Sequence, residues 1–146
     1  MIDSTQQKGL LTELDCIRDF TRLGFQCLQP VGDSCKYDIA VDTGTKIYRI
    51  QCKHSHWAKD TQVPETAFEI SLRRQTTNTQ KTIHYKYSSE EIDYFYTSFN
   101  GQGYLVSINE AVGALFRWRY EYPNPHQRQG IHLAANYTIE EVTKQW

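Results

Sequence analysis

Apolar residues recur at Leu10, Leu14, Ile17 and Phe20, close to the helical period, and Gly24 offers a stop. The spacing predicts a helix over Lys8 to Leu23, preceded by seven polar, frayed residues. Phe25 to Leu28 follows as a short strand closed by Pro30 and Gly32. The period then changes to two. From Tyr37, residues Asp38, Ala40 and Asp42 point one way, and Ile39 and Val41 the other. Thr43-Gly44-Thr45 has the chemistry of a tight turn, where glycine takes the positive φ that short hairpins need. After it, Ile47, Arg49, Gln51 and Lys53 share one face, and Tyr48, Ile50 and Cys52 share the other. The stretch therefore predicts a β-hairpin that gathers Asp38, Gln51 and Lys53 on one side.

The pattern weakens from His54 to Thr82. Ala67 to Leu72 alternates as a strand, followed by Arg73, Arg74 and a loop rich in threonine and glutamine that runs through Thr82. Ser88 and Glu91 have capping-box spacing ahead of a short turn. Ile92 to Phe99 and Tyr104 to Ile108 read as strands around Gly101 and Gly103. Ser107 and Glu110 form a second such pair, which predicts a helix through Ala111, Leu115 and Phe116. Pro123 and Pro125 break the chain, and a small final helix is capped by Thr138 and Glu141. This order predicts a mixed α/β fold built on one sheet, in one domain over residues 1–146.

Hydrophobic residues at 39% and charged residues at 23% fit a soluble globular chain and exclude a disordered one. No apolar run is long enough to span a membrane, and the start MIDSTQQKG lacks an export signal, so a cytoplasmic protein with no membrane partner is expected. The cysteines at 16, 27, 35 and 52 form no CxxC pair and read as reduced thiols. A net charge of -1 argues against a general nucleic-acid coat but leaves room for a local basic groove.

An acid, an amide and an amine on one strand face serve no packing purpose. A hard divalent cation takes oxygen ligands, which Asp38, the Gln51 amide and the Cys52 backbone carbonyl offer. Glu13 joins them if the first helix packs over the hairpin. Lys53 is then placed to orient a water or to stabilise charge on a phosphate. Cys52, His54 and His56 alternate on one face, but no fourth zinc ligand stands at the usual short spacing.

Glu13, then Tyr37-Asp38, then Ile50-Gln51-Cys52-Lys53 resemble the core of the PD-(D/E)xK nucleases. The stretch from Gly9 to Ser55, with the later YSSEEIDYFYTSFNGQGYLVSINEA, resembles in particular the bacterial homing endonucleases encoded in group I introns. The resemblance covers most of residues 8 to 112. It implies a restriction-endonuclease-like core, a mixed central β-sheet flanked by helices. It also implies Mg2+-dependent hydrolysis of double-stranded DNA, with Mn2+ able to substitute, leaving 5' phosphates. Asp38 then becomes a metal ligand, Lys53 the lysine beside the attacking water, and Glu13 the helix acid. The sequence departs from the general pattern at two places. Tyr37 stands for proline, a harmless change. Gln51 stands for Asp or Glu, and an amide can neither act as a base nor add negative charge. The homing subgroup resembles this chain in that same glutamine. One-metal and two-metal chemistry both stay open.

Arg73, Arg74, Lys81 and Lys86 are candidates for DNA phosphates, with a solvated loop as the plain alternative. Arg117 and Arg119 are candidates too, or the end of a helix that packs Trp118 inward. Base contacts are expected between His54 and Lys86. One hydrolytic centre per chain cuts one strand, so a double-strand break requires a homodimer or, as the homing resemblance implies, a homotetramer. The alternatives are a Holliday-junction resolvase and a catalytically inactive DNA-binding protein of the same fold.

Overall fold

A computed structural model describes residues 4–59, 61, 63–77 and 80–146. Helix α1 (Thr5–Arg22) starts earlier than its apolar period predicts, because Ser4 and Gln7 cap it reciprocally: the Gln7 amide N–H donates to Ser4 Oγ at 3.1 Å. The expected frayed start therefore ends at Ser4, a polar cap that hydrophobic periodicity cannot register. One face of α1 buries Thr12, Cys16 and Phe20.

That face lies on a five-stranded sheet of order β1-β2-β3-β8-β9, formed by β1 (Gln26–Leu28), β2 (Ile39–Asp42), β3 (Ile47–Cys52), β8 (Tyr94–Phe99) and β9 (Gln102–Ser107). β2 and β3 pair antiparallel with Ile39 opposite Ile50 and Ala40 opposite Arg49, the register the alternation predicts. β3 runs parallel to β8 with Gln51 opposite Phe95, so the sheet is mixed. The sheet is buried on both faces. Tyr96 and Leu105 pack towards Cys16, Phe20, Ile39, Val41, Ile50 and Ile139. Their neighbours Phe95, Tyr104 and Val106 pack the other way, against Phe68, Ile70, Phe116 and Trp118.

The second core comes from a small antiparallel sheet of β4 (His56–Trp57), β5 (Ala67–Ser71) and β10 (Leu115–Arg119), in the order β10-β5-β4. Here the structure corrects the sequence reading. Ser107 does accept turn hydrogen bonds from the Glu110 and Ala111 amides, but no helix follows. Gly113, at a φ of 89°, redirects the chain, and Phe116 and Trp118 alternate inward opposite Ile70 and Phe68. Phe116 and Trp118 satisfy a two-residue period once β5 is there to pair with. The polar loop expected through Thr82 is a second correction. β6 (Arg73–Thr77) pairs with β7 (Thr82–Lys86), from Arg73 opposite Lys86 to Thr77 opposite Thr82, as a separate two-stranded ribbon; residues 78 and 79 lie outside the described residues. β6 carries no apolar residue and β7 alternates only at Ile83 and Tyr85, too short a pattern to predict the pairing that backbone hydrogen bonds supply. A short α2 (Ile139–Thr143), capped by Thr138, closes the chain as expected. Among the described residues no helix is long and apolar enough to cross a membrane.

Arg49 ties β3 to the entry of β8. Its backbone N–H donates to Asp93 Oδ2 at 2.8 Å, its Nε to the same oxygen at 3.1 Å, and its Nη2 to the Ser89 carbonyl at 2.8 Å. Burial alone would raise the Asp93 pKa, but the Arg49 hydrogen bonds and charge outweigh it, and the net shift is downward. A depressed carboxylate stabilises the fold above its unfolded pKa of about 3.9 and loses that contribution as pH falls through the folded value. Asp93→Asn is therefore expected to lower stability at pH 7 by about 1–3 kcal/mol. It is also expected to flatten the fall in urea midpoint below about pH 4. An unchanged acid limb would contradict the assignment.

Candidate active site

The β2–β3 hairpin and α1 bring three of the expected side chains together. Asp38 precedes β2 and its backbone N–H donates to the Ile50 carbonyl at 2.9 Å, which fixes it beside the end of β3. Its Oδ2 accepts the Cys52 amide N–H at 2.9 Å. The second carboxylate oxygen has no hydrogen-bond partner among the described residues. Glu13 projects from α1, and Gln51 shares the strand face of Asp38. Glu13, Asp38 and Gln51 line one open, strongly polar cleft of about 440 Å³, with Tyr37, Arg74 and Tyr87 on its walls and the loop of residues 29–36 at its rim.

Both carboxylates are shifted upward, chiefly by burial. Burial and then the charge of Asp38 raise the Glu13 pKa. Burial raises Asp38 as well, while the Cys52 N–H, Lys53 and Arg74 pull it down without reversing the shift. Burial is the main cause of both shifts, and a cation bound between the two acids would favour their charged forms. The donors are hard: two carboxylates, the Gln51 amide oxygen and the Cys52 carbonyl. They fit Mg2+ or Mn2+ and not a thiophilic metal. Among the described residues no three His, Cys, Asp or Glu side chains form a cluster of metal-ligand type. The Gln51 Nε2 donates to the Cys52 carbonyl at 3.3 Å, so engaging both oxygens requires the amide to turn.

Lys53 lies deeper than the strand pattern implies. Its Nζ donates to the Arg73 carbonyl at 3.0 Å and sits 4.9 Å from the centre of the Tyr87 ring. Burial lowers its pKa, partly offset by Asp38 and reinforced by Arg74. The Cys52 side chain is buried in the core, as its face predicts, leaving only its backbone for the cleft.

The remaining basic candidates separate. Arg74 enters the cleft. The Arg73 Nε is buried without a hydrogen-bond partner, while Lys81 and Lys86 are exposed on the β6–β7 ribbon. Arg117 is bound to the buried Glu69 through Nε at 3.0 Å and Nη2 at 2.8 Å, with His56 3.4 Å from the other oxygen of that carboxylate. Arg119 lies on the same β10 strand, and neither of these two lines the cleft. Tyr87 escaped the sequence reading as a site residue. Burial and the nearby Asp38 push its phenol up to about 12. The only local signal was an aromatic residue closing the basic tract.

Comparison with known proteins bears on the family and the fold. A family model described as PD-(D/E)XK endonuclease matches residues 3–140. A solved structure described as a bacterial homing endonuclease, I-Ssp6803I, superposes with a TM-score of 0.73 at 19% identity, over 97% of this chain and 93% of that one. At that identity the likeness shows the fold. No functionally curated protein matches the sequence.

Proposed function

The chain belongs to the PD-(D/E)XK endonuclease family, and from that membership we propose that it is a Mg2+-dependent, site-specific DNA endonuclease of the homing type. In this reading residues 1–146 form one nuclease domain that works inside the cell as a homodimer or homotetramer, cuts both strands of a duplex and leaves 5' phosphates. The observation that carries it is the meeting of Glu13 from α1, Asp38 from the entry to β2 and Gln51 from β3 in one open cleft.

Glu13, Asp38, the Gln51 amide oxygen and the Cys52 carbonyl would hold the divalent ion. When bound, the ion neutralises charge on the scissile phosphate and lowers the pKa of water. The chain's own groups do the rest. The Cys52 N–H fixes one oxygen of Asp38 and so aims the other at the cleft. Lys53, steadied by the Arg73 carbonyl, hydrogen-bonds the attacking water, and burial brings its amine nearer to accepting a proton. The 3' oxygen leaves with a proton from solvent. The β6–β7 ribbon reads the target, since a two-stranded ribbon fits the B-DNA major groove and its Lys81 and Lys86 are exposed for phosphates.

The test is cleavage of a randomised duplex library and of a synthetic four-way junction with Mg2+ or Mn2+, followed by end-labelling of the products. Recovery of one recurrent duplex sequence with 5'-phosphate ends supports the reading. Cleavage confined to the junction would make the protein a resolvase, and binding without cleavage of any DNA would make it an inactive DNA-binding protein. Gln51→Glu adds a carboxylate to the cleft and is expected to lower the Mg2+ concentration for half-maximal cleavage about tenfold, because ligand charge sets affinity at hard-metal sites. An unchanged Mg2+ titration would show that residue 51 does not face the ion.

A further inference from the structure

Arg74 has no role in the motif that defines the family, and the sequence alone places it with the DNA-backbone contacts outside the active site. The structure puts it elsewhere. β6 starts at Arg73, whose carbonyl is held by Lys53, and the next residue extends into the cleft that holds Glu13, Asp38 and Gln51. Among the described residues the Arg74 guanidinium makes no hydrogen bond or ion pair, although it lies close enough to Asp38, Lys53 and Tyr87 for its charge to reach each of them. Lys53, by contrast, is set back from the cleft lining, with one ammonium N–H given to the Arg73 carbonyl and the Tyr87 ring 4.9 Å away, so its other N–H groups would meet the cleft through a water.

A planar guanidinium with free donors in a site built for a phosphodiester has one obvious occupant. It matches two phosphate oxygens at once, which an ammonium does not. We propose that Arg74 is a catalytic residue that grips the non-bridging oxygens of the scissile phosphate and stabilises the negative charge that builds on them as water attacks. The proposal rests on the endonuclease reading above and divides the work between two cations. Arg74 meets the phosphate, while Lys53 serves the water. It also answers the loss of charge at Gln51. With one carboxylate fewer than the general motif, the cleft can hold an arginine that is not neutralised by an ion pair, and the guanidinium stays available to substrate. Because Arg74 opens the ribbon proposed to read the target, seating of that ribbon on DNA brings the guanidinium to the phosphate.

The test uses the full chain and a duplex recovered from the library. Single-turnover cleavage is measured with Mg2+, and Kd for the same duplex with Ca2+ in its place, for the wild type, Asp38→Ala, Arg74→Ala and Arg74→Lys. Arg74→Ala is expected to cleave about 100-fold more slowly while Kd rises less than about threefold. Arg74→Lys is expected to fall between the two, and added guanidinium ion to restore part of the Arg74→Ala rate, which a purely structural defect would not allow. A rate within about threefold of wild type, or a loss seen only in Kd, would return Arg74 to ordinary backbone contact and overturn the proposal while leaving the nuclease reading intact. Failure of the wild type to cleave any DNA would remove that reading and this proposal together.

Discussion

Asp38→Ala is expected to abolish cleavage, with a fall in rate of about 1,000-fold or more, while the protein stays folded and still binds DNA. The side chain is half-buried beside β3, accepts the Cys52 N–H, and lines the cleft shared with Glu13. No neighbouring group can replace that carboxylate. Gln51 offers a neutral amide already turned to the Cys52 carbonyl, and Glu13 comes from a different element. The substitution also leaves the Cys52 N–H without an acceptor, at a cost of about 1–3 kcal/mol. Asp38→Asn separates the two effects: it keeps an acceptor for the N–H and stability near wild type, yet stays inactive for want of charge. Binding persists because the phosphate contacts assigned to the ribbon are untouched. Single-turnover kinetics and a filter-binding titration on the same preparation measure both quantities. Cleavage at more than about a tenth of the wild-type rate in either variant would remove Asp38 from the centre of the mechanism.

The largest expected loss of stability lies far from that chemistry. Trp118 is fully buried between Phe68, stacked at 5.2 Å, and Phe116, edge-on at 4.9 Å, with Tyr104 and Tyr137 completing the cage. Trp118→Ala is expected to cost about 3–5 kcal/mol, from lost burial and from a cavity that two paired strands cannot collapse to fill. Against the 5–15 kcal/mol that holds most domains, that is enough to unfold a large fraction at 37 °C. Trp118→Phe keeps the stacking, and because the indole N–H has no partner among the described residues, it costs much less. Urea unfolding of the two variants checks the ordering, and equal midpoints would show that the residue is not packed as described.

The two halves of the molecule differ in how much of them the chain reveals locally. The β2–β3 hairpin was legible because Ile39, Val41 and Ile50 alternate with polar residues around a glycine that takes a φ of 88°, so face and register follow together. That is enough to place Asp38 with Gln51. Glu13 was legible through family resemblance, since nothing in a helical period says what its partially exposed side meets. Local signals favour a helix at β10 because Ser107 and Glu110 supply a genuine turn, and only pairing with β5, distant in sequence, reveals the two-residue period of Phe116 and Trp118. In the β6–β7 ribbon, β6 has no apolar residue and β7 alternates only at Ile83 and Tyr85, so the hydrophobic signal is too short to predict a strand pair held by its backbone. Arg74 and Tyr87 reach the cleft from its two ends, so the same fold that hid the ribbon hid their place in the site.

The central claim is that Glu13, Asp38 and Gln51 form one divalent-metal centre at a DNA phosphate. Its most direct test is the anomalous scattering of Mn2+ in crystals of the protein with a recovered duplex. The account predicts a Mn2+ peak in the cleft, within bonding distance of Asp38 and of the scissile phosphate, that disappears in Asp38→Ala. A cleavage-competent complex whose Mn2+ lies elsewhere, or which keeps its peak without the Asp38 carboxylate, would contradict it.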